Sequence, residues 1–191
     1  ESFILEHGFR KTQVDHYVFV KRYDEGDFLI ILLSVDDMLV VRQDTKKIVS
    51  LTKDLGKLFS MKDLGPAKQI LGMHIVRDRT KKLLWLSQER YVAKFLERFN
   101  MSEAKSLGSV LPTNCKLNTR QCPKREKDKA EMRKVPYPLV VGGLMYVMVC
   151  TRPDIAFVVG AVSQYTSNPG REHWAAMKWI LRYLKGTSKV W

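Results

Sequence analysis

The sequence predicts an α+β fold in which antiparallel β-hairpins come first and helices come last. Two apolar runs, residues 28–33 and 38–41, have the length of buried strands and flank a pair of adjacent carboxylates. Residues 136–191 instead carry helix start and stop residues, and their last segment places its apolar side chains at helical spacing, whereas residues 102–135 lack periodicity and are rich in charge. The predicted order is therefore a βαββα unit, a linker and three helices.

The first predicted hairpin carries the carboxylate pair at its tip. Residues 16–22 form a strand that joins the first apolar run through a turn at residues 24–27, so Asp36 and Asp37 lie where the second strand begins. Two neighbouring like charges are costly to desolvate unless a cation compensates them, and magnesium is typically held by one or two carboxylates plus substrate phosphates. The pattern indicates a metal site. An ordinary surface hairpin, with Asp as a common turn residue, is the alternative that these residues leave open.

A helix and a second hairpin follow. Residues 44–59 place apolar side chains at helical spacing behind Asp44 or Thr45 as the N-cap. Residues 68–76 and 83–86 are then predicted to form the two strands of a hairpin that turns over residues 78–81.

The second half of the chain is predicted to be mostly helical. Ser87 caps a helix that runs to about Phe99, and the apolar stripe of this helix favours core packing over base stacking. The basic segment 102–135 cannot bury much apolar surface, which predicts a linker that is mobile at least in part. Proline in the first turn and a terminal glycine mark the remaining helices. These three helices cover residues 138–150, 153–167 and 171–185.

Several short segments occur in the order found in one protein family. They are Val35–Asp37, Phe59–Pro66, Gln69–Met73, Leu86–Tyr91, Arg98–Met101, Gly143–Tyr146, Thr151–Ala156 and Ile180–Thr187. Together they resemble the reverse transcriptase region of copia-type LTR retrotransposon Pol polyproteins, most closely the lineage abundant in plants. The resemblance covers essentially all 191 residues.

The resemblance implies a fold and an activity. Residues 1–101 would be the C-terminal part of a polymerase palm with the following hairpin and helix, residues 102–135 the linker, and residues 136–191 a thumb- or connection-like bundle. The intact parent protein would be an RNA-directed DNA polymerase that uses Mg²⁺, with template-primer and dNTP as partners. Asp36 and Asp37 would be its catalytic metal ligands.

Two departures from the family pattern keep a second hypothesis open. Ser34 occupies the position where the family usually has a tyrosine that positions the primer. The family also needs another metal-binding aspartate, which is expected on a strand before these residues. The isolated chain is therefore predicted to be inactive, and the alternative is a catalytically dead or co-opted remnant that binds nucleic acid or protein.

The charge distribution indicates a nucleic-acid partner. The chain carries 33 basic and 20 acidic residues, and after residue 100 there are 15 basic residues against 6 acidic ones. In the last predicted helix four cations fall on one face, namely Arg171, Lys178, Arg182 and Lys185. A row of cations suits a phosphate backbone because binding releases counterions. A merely solvated helix face is the alternative.

The sequence also predicts a compartment. Three cysteines are an odd number, at spacings that fit neither a disulfide framework nor a zinc site, and they indicate reduced thiols. The longest apolar stretch, Leu139–Cys150, is too short to span a bilayer, and no secretory signal begins the chain. We expect an intracellular protein, in a cytoplasmic particle or the nucleus, that is neither secreted nor membrane-bound. The sequence leaves its oligomeric state open.

Overall fold

The structure is a computed structural model that describes residues 2–23, 26–35, 37–42 and 44–189. It divides into two compact units, residues 1–71 and 72–191. The division lies inside the predicted 1–101 domain, because the second hairpin and the helix after it belong to the second unit. Residues 102–135 also belong to the second unit.

The first unit is built on an antiparallel sheet. Its four strands, in spatial order, are β1 (Arg10–Lys11), β2 (Val18–Arg22), β3 (Phe28–Ser34) and β4 (Asp37–Val41). Helices α1 (Ser2–Glu6) and α2 (Thr45–Leu58) and the short strand β5 (Gln69–Ile70) complete the unit. The predicted hairpin is confirmed, and so is the N-cap of α2, where the Asp44 side chain accepts a hydrogen bond from the Lys46 N–H.

One face of this sheet is covered. Alternate side chains of β2 and β3 are buried together with apolar residues from the first turns of the chain, and Leu51 of α2 packs against them. The buried set is Ile4, Phe9, Phe19, Leu29 and Ile31. Helix α1 was not predicted because a five-residue segment is too short to show a helical period.

The second unit combines a hairpin with five α-helices in its described part. The hairpin strands are β6 (Met73–Asp78) and β7 (Leu83–Ser87). The helices are α3 (Glu89–Arg98), α4 (Glu126–Arg133), α5 (Tyr137–Cys150), α6 (Ala156–Ser163) and α7 (Arg171–Gly186), with 3₁₀ turns at Thr119–Gln121 and Pro153–Ile155. The predicted hairpin and helices are confirmed, and the mixture of antiparallel strands and helices confirms the α+β class. None of the helices in the described ranges is long and apolar enough to cross a bilayer.

Three boundaries differ from prediction for local reasons. The predicted strand 68–76 is interrupted at Leu71 and Gly72, which both have positive φ, at 49° and 76°. Helix α6 ends at Ser163 rather than near residue 167. The Thr166 hydroxyl donates a hydrogen bond to the Ser163 carbonyl, and this side-chain bond competes with continuation of the helix. Helix α4 lies inside the predicted linker and carries too few apolar residues to reveal a period.

The core of the second unit joins four helices. Apolar faces of α3, α5, α6 and α7 pack into one cluster, which includes the α3 residues Val92, Phe95 and Leu96. This packing confirms that the apolar stripe of α3 is core. It also explains the position of the unit boundary, since α3 cannot be separated from α5 and α7 without exposing that stripe.

A buried histidine joins α7 to the segment before α4. His173 is completely buried, its Nδ1 accepts a hydrogen bond from the Gly170 N–H at 2.9 Å, and its ring stacks on Tyr165 with centroids 3.8 Å apart. Its Nε2 lies 3.2 Å from the Asn118 carbonyl oxygen. Burial lowers the pKa of His173, although the Asn118 carbonyl and the Glu172 carboxylate act in the opposite direction.

We expect acid to destabilise the second unit through His173. Because the pKa is lower in the folded chain than in the unfolded one, the unfolded state binds more protons as the pH falls through about 6.5 and below. The contribution of His173 to the free energy of unfolding is therefore complete above that pH and declines below it. Urea unfolding at pH 7.5 and pH 5.5 measures the loss. The loss should be smaller in His173→Gln, and an equal loss in both proteins would contradict this assignment.

Candidate functional site

The hairpin tip between β3 and β4 is tight. Ser34 and Asp37 are paired across the two strands, which leaves Val35 and Asp36 as the connecting residues. Asp36 lies outside the described residues. Asp37, the first residue of β4, is exposed. The sequence prediction that this carboxylate lies at the hairpin tip is therefore confirmed for Asp37.

Val35 is held in an unfavourable conformation. Its φ is 37°, in the left-handed region, and its side chain is fully exposed. A β-branched residue at positive φ is an outlier, and such strain is concentrated at functional sites. The sequence contains no signal for this strain, because valine normally favours the extended backbone of a strand.

Strand alternation places the tip residues on the face of the sheet opposite the buried core. Leu33 and its partner Met38 pack against the core of the first unit. Because successive side chains point to opposite faces, Ser34 and Asp37 lie on the other face. Ser34 is half-buried there, and its side chain is only a hydroxymethyl group.

The Asp37 carboxylate is exposed, so a ligand from solvent can reach it. Within the described part of the chain, no hydrogen bond or ion pair engages it. Hard carboxylate oxygens suit Mg²⁺, so the donor chemistry fits. However, no group of three or more His, Cys, Asp or Glu side chains that could hold a metal occurs among the described residues. Among the described residues, Asp37 therefore offers the oxygen chemistry of one magnesium ligand.

The four predicted cations of α7 are not equivalent. Arg171 is paired with the Glu131 carboxylate and lies 3.9 Å from an Asp128 oxygen, so α4 compensates its charge. Lys178 is exposed, whereas Lys185 is half-buried. Arg182 donates through Nε to the Lys105 carbonyl at 2.7 Å. The surface that faces solvent is therefore shorter than the sequence predicts.

A connecting segment that sequence reasoning missed lies along α7. The Trp179 Nε1–H donates to the Ser109 carbonyl at 2.9 Å, and the Leu107 N–H donates to the Arg182 carbonyl at 3.3 Å. A Cβ added at Gly186 would lie 3.1 Å from Ser106. The indole is therefore engaged within the chain. Only the small residues of this segment hint at such close packing, and that signal is weak.

The Thr151–Asp154 segment has a structural role. Arg152 is buried, pairs with Asp154 at 2.7 Å and donates to the Thr187 carbonyl at 3.0 Å. This pair lowers the pKa of Asp154. Thr151 does not cap the turn that follows it, because its hydroxyl donates a hydrogen bond to Gln88 Oε1 at 2.6 Å. These contacts tie the end of α7 and the start of α3 to the turn before α6.

Comparison with known families and proteins gives consistent matches. The family model described as reverse transcriptase (RNA-dependent DNA polymerase) matches residues 1–114. The chain is 55% identical over 188 residues to the retrovirus-related Pol polyprotein from transposon TNT 1-94 of Nicotiana tabacum, which covers 98% of this chain and 14% of that protein. It is 34% identical over 186 residues to the corresponding polyprotein from transposon RE2 of Arabidopsis thaliana, which covers 97% of this chain and 12% of that protein.

A shorter relative also exists. An uncharacterized mitochondrial protein of Arabidopsis thaliana is 34% identical over 159 residues, which covers 83% of this chain and 62% of that protein. No solved structure matches the chain significantly. The chain thus spans about one seventh or less of the two Pol polyproteins and a larger share of the mitochondrial protein.

Proposed function

Because the chain belongs to the reverse transcriptase (RNA-dependent DNA polymerase) family, we propose that its β3–β4 hairpin is the metal-binding hairpin of an RNA-directed DNA polymerase. The chain is a fragment of the reverse transcriptase region of a copia-type retrotransposon. The observation that carries the proposal is the Asp37 carboxylate, which is exposed and has no partner among the described residues, at a hairpin tip where Val35 has a positive φ.

The hairpin would contribute to catalysis by holding its carboxylates in fixed positions. Asp36 and Asp37 would hold Mg²⁺, and the chemistry that the bound ion supplies is activation of the primer 3′-hydroxyl and charge stabilisation on the leaving pyrophosphate. The pairing of Ser34 with Asp37 fixes the carboxylate relative to two strands rather than a loose loop. Such positioning matters because phosphoryl transfer depends on the alignment of the reacting groups.

We propose a second function because of Ser34. In this alternative the chain is a remnant that folds and binds nucleic acid or a partner protein without catalysing synthesis. At this half-buried position the side chain is a hydroxymethyl group, where the resemblance implies an aromatic ring. The two proposals predict different results when the aromatic ring is restored. DNA synthesis should return if the first is right and should not return if the second is right.

We expect the isolated chain to bind magnesium weakly. Asp36 and Asp37 supply only part of the ligand set, and magnesium usually retains several waters and takes substrate phosphates as further ligands. Asp37→Asn should leave the free energy of unfolding unchanged or raise it slightly, because it removes like-charge repulsion. Calorimetric titration with MgCl₂ and urea unfolding test both points. Tight binding that is abolished by Asp36→Asn would show that a ligand outside this pair completes the site.

We expect the chain to bind template-primer duplex with salt dependence and little sequence preference. Lys178 and Lys185 lie seven residues apart on one side of α7, about 10.5 Å along the helix axis, so both can contact phosphates of the same duplex. Neutralising both, in Lys178→Gln/Lys185→Gln, should weaken binding to every duplex and reduce the salt slope by about 2.

The matched control removes the same charge elsewhere. Lys124 and Lys127 are exposed residues of the predicted linker, so Lys124→Gln/Lys127→Gln should weaken binding less. Fluorescence anisotropy at two salt concentrations measures all three proteins. An affinity that does not fall as salt rises, or a strong preference for one sequence, would refute the proposal that this surface binds the phosphate backbone.

A further inference from the structure

The tip of the β6–β7 hairpin is a basic surface that the family resemblance does not explain. Residues 77–82 contain four cationic side chains and one carboxylate. We propose that this tip is a second binding site for the phosphate backbone of duplex nucleic acid, separate from α7. The inference rests on the proposed function, because it extends the nucleic-acid surface of the same protein.

The single carboxylate at the tip is already engaged. Asp78 Oδ1 accepts a hydrogen bond from the Lys81 N–H at 3.0 Å, and Asp78 Oδ2 lies 4.0 Å from Lys81 Nζ. Within the described part of the chain, no ion pair engages the side chains of Arg77, Arg79 or Lys82. Three cations at or beside this turn therefore remain available for an anionic partner.

The hairpin geometry brings these cations to one groove. Arg77 is paired with Leu84 and Asp78 with Leu83 across the two strands. Lys82, at φ 55°, turns the chain back into β7. The three cations, Asp78 and the two leucines line a groove of about 270 Å³. Because regular strands carry the turn, the cations are held in a defined relation to one another rather than on a loose loop.

The groove also has an apolar rim. Leu83 and Leu84 are 44% and 54% exposed, directly beside the cations. Because successive strand residues alternate, these two leucines place one apolar side chain on each face of β7 beside the turn. In a duplex, apolar side chains contact sugars while cations contact phosphates, and neither contact reads base edges. The site is therefore expected to bind duplexes without sequence preference, and leucine offers no ring on which an unpaired base could stack.

The test is duplex binding by the full 191-residue chain with the hairpin neutralised. Arg77→Gln/Arg79→Gln removes two charges at the tip. Arg120→Gln/Arg125→Gln removes two charges of the same kind from exposed positions elsewhere in the same unit. Anisotropy with DNA·DNA and RNA·DNA duplexes of three sequences is measured over a range of salt. Tryptophan fluorescence during urea unfolding confirms that each variant is folded.

The expected result is a loss of about tenfold in affinity for every duplex in the hairpin variant, with a salt slope reduced by about 2, and a loss of less than about threefold in the control. Equal losses in the two variants would overturn the inference. If the α7 variant loses affinity while the hairpin variant does not, the hairpin site is wrong and nucleic-acid binding by α7 stands. If the unmodified chain binds no duplex, both proposals of nucleic-acid binding fail.

Discussion

Replacing Gly143 with alanine is expected to destabilise the second unit by about 3 kcal/mol, the upper end of the usual cost of overpacking a core. A Cβ at this position would lie 2.0 Å from Cε2 and 2.5 Å from Cζ of Phe95. Phe95 is itself buried between helices, so its ring cannot move without displacing other core side chains. Helix α5 can approach α3 this closely only because residue 143 has no side chain.

The neighbouring residue provides a matched control. A Cβ added at Gly142 meets nothing within 4 Å, so Gly142→Ala should stabilise α5 by about 0.5–1 kcal/mol through its better helix propensity. All four tryptophans lie in residues 72–191, and tryptophan fluorescence during urea unfolding therefore reports the second unit. Equal stability of the two variants would show that α3 and α5 leave room for a Cβ beside Phe95.

The elements that the sequence predicted well are those in which an apolar period coincides with clear boundaries. Strands β3 and β4 are continuous apolar runs on both sides of a charged tip, and α2 begins at an acidic cap. Helix α4 has no comparable signal. It is held by contacts such as the Arg171–Glu131 pair, which joins residues 40 positions apart and cannot be seen in a local pattern.

For the candidate site, the sequence likewise predicted where side chains lie but did not predict the contacts that depend on tertiary structure. The position of Asp37 follows from strand alternation around the hairpin tip, whereas the positive φ of Val35 depends on the closure of that tip. Similarly, the α7 cations follow from helical spacing, but the compensation of Arg171 by α4 depends on tertiary packing. Sequence periodicity therefore locates side chains on a face and does not show which of them are already engaged.

A second large effect is expected in primer extension. The chain alone should give no product, because under the proposal Asp36 and Asp37 supply only part of the ligand set that two-metal phosphoryl transfer requires. A fusion to an upstream fingers-palm segment from an active relative should give little or none, since Ser34 leaves the primer end unsupported. The same fusion with Ser34→Tyr should give clear product. Failure of this last protein would favour the remnant proposal.

The role of the hairpin in metal binding is tested by Asp36→Asn in the fusion that carries Ser34→Tyr, assayed for extension of an RNA-templated primer with Mg²⁺. Asparagine keeps the size of the side chain but removes the charge that a divalent cation requires, so the proposal predicts that synthesis is abolished while the protein remains folded. The matched control is Asp44→Asn, which changes an aspartate at the N-cap of α2 and preserves its capping ability. Undiminished synthesis by Asp36→Asn would contradict the assignment of this hairpin as the metal-binding site.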